Sequence, residues 1–319
     1  LPTNICSEGS KNLVSGIDKD LSTFIRDASE WLLDKLEEKN IHNSAIYVWS
    51  EKEKKILAYI GNRSQTKDNA IDMIQEKRSV GSVLKPFIYK LALNDGYDGE
   101  SYILDDTKVY KTEQEEKNYI PENYIPKSYW PIRLKEALGN SLNSATVRLT
   151  EWIGIGKIYE ALRSYGIILD HDAGYYGYGI SLGLPEVSLE KIVHAYRNIL
   201  DLWEDENYML FQILSDEKNR ARTFGISSIL TTSLPMAVKT WTSTDFRDNW
   251  AIGYTKDIII GIWVGNSDGS SMGDVSGVTG AGPLFHQIAE YMIGRGLIEK
   301  DDSLLTSWLE NTLLCLDTS

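Results

Sequence analysis

The chain has 319 residues and a formal net charge of -13, with 42% hydrophobic and 25% charged residues. That length carries one large domain or two small ones, with enough apolar residues to close a core without metal or disulfide staples. The acidic balance speaks against nucleic acid as a partner, which basic patches normally mark. No apolar run approaches the roughly 20 residues of a membrane-spanning helix.

Residues 1 to 19 mix Gly, Ser, Lys and Asn and read as a linker. Residues 20 to 40 have helical spacing, with Phe24, Trp31, Leu32 and Leu36 expected on one face. The stretch "SAIYVWSEKEKKILAYIG" reads as a hairpin with strands near 45–49 and 56–60 and a charged turn between them. A polar loop over 62 to 80 precedes a helix from about Ser82, which cannot begin much earlier because Pro86 is tolerated only in a first turn. Residues 100 to 131, rich in Tyr, Pro, Lys and Glu, read as a surface excursion. The stretch 132 to 222 is helical in pattern, then strands are predicted at 236–243, 250–254 and 258–264 and a closing helix at 282–295. Strands at both ends with helices between exclude a repeating βαβ scheme. They predict an α/β chain of the α+β kind, an antiparallel sheet closed by strands from both termini beside a helical lobe.

Several chemistries are missing. The histidines at 42, 171, 194 and 286 form no HExxH and flank no G-x-S-x-G elbow, and no phosphate loop or dinucleotide fingerprint is present. Cys6 and Cys315 stand near opposite ends in no metal-ligand spacing, and the sequence leaves their pairing open. No metal and no cofactor are expected. A serine nucleophile can use lysine as its base, since Ser and Lys three apart on a helix share a face and the helix N-terminus favours negative charge. Four Ser-x-x-Lys matches occur: Ser64/Lys67, Ser82/Lys85, Ser188/Lys191 and Ser215/Lys218. Only Ser82 follows glycine and opens an apolar helix, in "VGSVLKPFIYKLAL", where dry surroundings help keep Lys85 neutral. Ser141-Leu142-Asn143 and Lys239-Thr240-x-Thr242 follow, each weak alone, with Ser10-Lys11-Asn12 and Lys111-Thr112 as chance counterparts. The ordered triple on helix, loop and strand is specific and is the one shared by penicillin-binding proteins and class A β-lactamases.

From about residue 43 to 292 the chain resembles the transpeptidase domain of a class A penicillin-binding protein, most like the 1C type. The likeness rests on the triple together with "NAIDMIQEKRSVGSVLKPFIY", "LKEALGNSLNSATVRL", "NRARTFGISSIL", "AVKTWTSTDFRDNWAIGYT" and "GVTGAGPLFHQI". It implies the penicillin-recognising serine transpeptidase/β-lactamase-like fold, with a five-stranded antiparallel sheet flanked by helices plus a helical lobe. It implies that Ser82 attacks the D-Ala-D-Ala carbonyl of a peptidoglycan stem peptide and that Lys85 takes the serine proton. Ser141, linked to Lys239, passes a proton to the leaving amine. Asn143 holds the substrate amide, Thr240 and Thr242 bind the terminal carboxylate, and the N–H groups of Ser82 and Thr242 form the oxyanion hole. β-Lactams and peptidoglycan stem peptides are the implied partners, with other cell-wall synthesis proteins. The implied place is the outer face of a bacterial cytoplasmic membrane, reached through an anchor absent from this sequence. Residues 1–42 are then the connector to a missing glycosyltransferase domain and anchor, and 43–319 the transpeptidase domain.

One departure raises a second reading. Trp241 stands where the family has glycine, on the side of the strand shared with Lys239, and an indole there must displace something. A catalytically impaired module that binds peptidoglycan or a partner as scaffold or sensor is the alternative. A water-terminated reaction such as β-lactam hydrolysis is a further one, with Glu186 and Glu190 as candidate bases by charge alone. Leu184-Pro185 also departs from the family's glycines.

Overall fold

The computed structural model describes residues 16–63, 71–111, 118–121, 123–243, 245–273 and 275–300. Cys6, Cys315, Ser64, Lys67 and the Ser10-Lys11-Asn12 match lie outside them. Five strands form one antiparallel sheet: β1 (Asn43–Ser50), β2 (Lys55–Ile60), β3 (Ala237–Thr242), β4 (Asp248–Tyr254) and β5 (Ile258–Gly265). The spatial order is β2-β1-β5-β4-β3, so the two halves of the chain meet where β1 pairs β5, with Val48 opposite Ile260. β3 is an edge strand, and it pairs β4 with Trp241 opposite Trp250.

Both faces of the sheet are covered. Tyr47, Ile252, Ile259 and Trp263 belong to a core shared with the helical lobe, while Ile46, Val48, Ile260 and Ile262 belong to one shared with the terminal helices. The terminal helices are α1 (Lys19–Lys35) and, at the other end of the chain, α10 (Ala281–Gly294). Between them in sequence lie α2 (Lys85–Asn94), α3 (Leu134–Gly139), α4 (Asn143–Ile153), α5 (Ile155–Ser164) and α6 (Ala173–Tyr176). The lobe is completed by α7 (Leu189–Tyr196), α8 (Asp205–Ser215) and α9 (Glu217–Phe224). Burial on two faces explains why β1 and β5 read as near-continuous apolar runs and lack the alternation of a half-exposed strand.

Two expectations are corrected. The buried stripe of α1 is Leu21, Ile25, Ala28 and Leu32, while Trp31 is 48% exposed with Lys35 Nζ lying 3.8 Å from its ring centroid. The smaller side chains let α1 approach the sheet, and the indole stays outside as a partner for a cation. The segment 100–131 is not purely a surface excursion, because Asp105 is fully buried and Asn123 nearly so. Their polar atoms are satisfied inside the fold, as described below.

Two glycines set the spacing of the layers. A Cβ on Gly253 would stand 2.0 Å from Phe285 Cε2 of α10, and one on Gly261 would stand 2.4 Å from Val193 Cγ2 of α7. Gly253→Ala is expected to lower stability by about 1–3 kcal/mol through overpacking. Thermal unfolding of that variant beside the harmless surface change Trp203→Tyr, at a side chain 68% exposed, checks it.

Candidate active site

The nucleophile candidate sits on a tight turn. Gly81–Leu84 is a 3-10 turn that runs directly into α2 at Lys85, with Pro86 in the first α-helical turn where its missing N–H is harmless. In a 3-10 turn residues three apart eclipse each other, so Ser82 and Lys85 point the same way. Both are buried, Ser82 at 5% and Lys85 at 0% exposure.

The second triad member comes from the α3–α4 connection. Ser141 has φ +58, a left-handed conformation that a non-glycine residue adopts only under local constraint. That conformation turns its carbonyl toward one lysine and its hydroxyl toward another. Lys85 Nζ donates to Ser141 O at 2.7 Å, Asn143 Oδ1 at 2.8 Å and Leu142 O at 3.3 Å, and lies 3.4 Å from Ser141 Oγ. Lys239 Nζ donates to Ser141 Oγ at 2.8 Å and to Thr240 O at 2.8 Å. Ser141 is thus a bridge between two buried amines. Ser82 Oγ is not hydrogen-bonded to Lys85 here, whose donors are turned to the 141–143 segment.

Burial is the main cause that shifts both amines. It pushes Lys239 down to about 7, and it holds Lys85 well below the usual lysine range, with the charge of Lys239 adding to the effect. A neutral amine at Lys85 can accept a proton, which an ammonium cannot.

A cavity of about 520 Å³ opens above these groups, lined among others by Ser82, Asn143, Thr240, Trp241 and Thr242. Thr240 and Thr242 face the loop after β5 rather than Lys239. Thr242 Oγ1 accepts from Gly277 N at 2.6 Å and from Asn249 Nδ2 at 3.2 Å, which leaves its hydroxyl proton to donate. The cavity wall also contains Tyr124, Asn140, Thr223, Phe224, Phe246 and Val278, none of them singled out from the sequence. Asn140 had a local signal, since it directly precedes Ser141. It ties α3 to α9 by accepting from Thr223 N at 2.8 Å and donating to Asn219 O at 2.7 Å. Asn123 gave none. Its Oδ1 accepts from Asn143 N at 2.7 Å and Ser144 N at 3.2 Å, so it caps α4 from a distant segment. Its amide donates to buried Asp105 at 3.0 Å.

The other Ser-x-x-Lys pairs within the described residues have ordinary roles. Ser188 caps α7 by accepting from Lys191 N, and Ser215 ends α8 on an exposed face. Glu186 and Glu190 are absent from the cavity lining, and Glu190 accepts from Gln75 at 3.1 Å on the surface.

Residues 44–200 match the family described as the penicillin binding protein transpeptidase domain. This chain carries a penicillin-binding protein transpeptidase domain. The domain is 29% identical over 275 residues to penicillin-binding protein 1C of Escherichia coli K12, covering 79% of this chain and 34% of that protein. It is 28% identical over 246 residues to penicillin-binding protein 1A of Aquifex aeolicus, covering 68% of this chain and 33% of that protein. The chain therefore spans about a third of the length of these curated relatives. The structure of the PonA1 protein from Mycobacterium tuberculosis in complex with penicillin V superimposes with a TM-score of 0.71. That match covers 92% of this chain and 87% of the other at 18% identity, which establishes the shared fold. Among the described residues no helix is long and apolar enough to cross a membrane.

Two outcomes follow from the transpeptidase-domain geometry. Ser141→Gly is expected to unfold at a higher temperature than Ser141→Ala, by about 1 kcal/mol in stability, because both lose the hydroxyl but only Ala keeps the left-handed strain. For Lys239, depressed from 10.5 to about 7, the unfolded chain binds more protons between those values. Stability relative to Lys239→Met is therefore expected to rise as pH goes from about 7 toward 10.5, measurable by urea unfolding across that window.

Proposed function

We propose that this domain is a peptidoglycan D,D-transpeptidase that forms an acyl-enzyme at Ser82 and is acylated there by β-lactams. The observation that carries the reading is the Ser141 bridge, whose hydroxyl takes a hydrogen bond from Lys239 at 2.8 Å while Lys85 Nζ lies 3.4 Å away. Two depressed amines linked through one hydroxyl make a proton path with a donor and an acceptor at either end.

In this reaction Ser82 Oγ attacks the carbonyl between the terminal D-alanines. Lys85 accepts the serine proton once the side chain turns toward it, a contact that apo geometry commonly leaves unmade. The Ser82 and Thr242 N–H groups receive the developing oxyanion, each worth roughly 3–4 kcal/mol in other serine enzymes. The carbonyl–nitrogen bond breaks, and the leaving D-alanine amine takes a proton along Ser141 and Lys239. Thr240 and Thr242 hold the terminal carboxylate, and Asn143 the substrate amide. An amine of a second stem peptide then attacks the ester, releasing Ser82 and completing the cross-link. Penicillin replaces D-Ala-D-Ala and stays on the serine. The penicillin V complex of a protein with this fold supports that occupant.

Residues 43–319 are the transpeptidase unit under this reading, and residues 1–42 lead into it with α1 lying against the sheet. Anchorage on the outer face of a bacterial cytoplasmic membrane is part of the same proposal.

Incubation with a fluorescent penicillin, read by intact mass with Ser82→Ala as control, is expected to give a single adduct in the native chain and none in the control. No adduct at long times and high concentration overturns the enzyme reading in favour of a binding module.

A further inference from the structure

Trp241 makes contacts that a glycine in the same slot has no atoms to make. It lies directly opposite Trp250, so the two indoles share the sheet face toward the lobe. Trp250 is 1% exposed, and its Nε1 donates to Ser79 O at 2.9 Å. The Ser79 hydroxyl donates to Gly183 O, and Val80 N donates to Pro185 O at 3.3 Å. The chain entering the nucleophile turn is thus held by β4 on one side and the 183–185 loop on the other.

Trp241 occupies the remaining side. A Cβ on Gly81, the residue before Ser82, would fall 1.9 Å from Trp241 Cε2 and 2.1 Å from Nε1. A Cβ on Gly183 would fall 2.8 Å from Gly81 Cα and 3.0 Å from Trp241 Cζ2. Gly81 has φ +44 and Gly183 φ +117, both in the region that favours glycine. The indole therefore lies against the Gly81 Cα with Gly183 at its edge, in a slot that exists because neither position has a side chain. Its rim still lines the cavity with Ser82, so the nucleophile is not capped.

We propose that Trp241 is a positioning residue for acylation. It is a wedge keyed to Gly81 and Gly183 that fixes the Gly81–Ser82 peptide, and with it the Ser82 N–H and hydroxyl. This rests on the transpeptidase reading above. Its consequence is that glycine at 241 impairs the site instead of unblocking it, because β3 and the nucleophile turn lose the body between them. Misplacement of a reacting group by about 1 Å can lower a rate about 100-fold.

The test is stopped-flow acylation by a chromogenic cephalosporin, separating the pre-covalent dissociation constant from the acylation rate constant, with thermal unfolding alongside. The proteins are the native chain, Trp241→Gly, Trp241→Phe, Gly81→Ala and the Gly81→Ala/Trp241→Gly double variant. The expected result for Trp241→Gly is a 10- to 100-fold lower acylation rate constant with a nearly unchanged dissociation constant, and recovery of most of the rate in Trp241→Phe. Gly81→Ala is expected to be slower still, and the double variant faster than Gly81→Ala, because removing the indole removes the clash. Trp241→Gly acylating at or above the native rate overturns the assignment. If Trp241→Gly does not fold, Trp241→Phe decides: a rate constant modestly below native supports the wedge, and one above native overturns it. A native chain that takes no drug, while every variant also takes none, refutes the transpeptidase reading itself; a variant that gains acylation refutes the wedge alone.

Discussion

Two primary amines are buried within reach of one serine hydroxyl, and much of the surrounding structure is explained by what that requires. A buried ammonium is expensive unless its protons are satisfied, and two in contact repel. Lys85 is fully buried and is surrounded by oxygens of residues 141 to 143, while Lys239 is anchored on the Ser141 hydroxyl and its own neighbour's carbonyl. Those oxygens point inward because Ser141 is in the left-handed region and Asn123 holds the start of α4. Remove the acceptors and the lysines have no reason to stay.

The fold supplies the rigidity for this. The sheet is sealed by the α1/α10 layer on one face and the lobe on the other, so β3 cannot shift outward without opening a core. The first motif rides on the Gly81–Leu84 turn and the start of α2, the second on the α3–α4 connection and the third on β3. Three elements far apart in sequence converge because the sheet is closed by strands from both ends of the chain, with β1 paired to β5. The helical lobe is the intervening sequence folded over that closure.

Much of this was legible in the sequence, for identifiable reasons. The strands were visible because continuous apolar runs bounded by turns are characteristic, as at Ile258–Gly265. The triple was visible because chemistry fixes residue type and order, and glycine before Ser82 separated it from Ser188, which proved to be a helix cap. The stripe of α1 was misplaced because Trp31 looks like core by hydrophobicity and is instead paired with Lys35. Asn123 and Asp105 were hidden because their role is to satisfy a distant backbone N–H and each other, and no local pattern records that. The cavity rim of Tyr124, Phe224 and Phe246 was hidden likewise, since two loops and the end of α9 meet there only after folding.

The close contact among Trp241, Gly81 and Gly183 also constrains history. An indole can enter at 241 only in a chain where 81 already lacks a side chain, since an Ala there would overlap it. Once the indole is seated, Gly81 is barred from gaining even a methyl group. The slot therefore works as a ratchet. Each substitution at one of the three positions narrows what the other two can become. A chain that has taken this step can leave it only through the tryptophan.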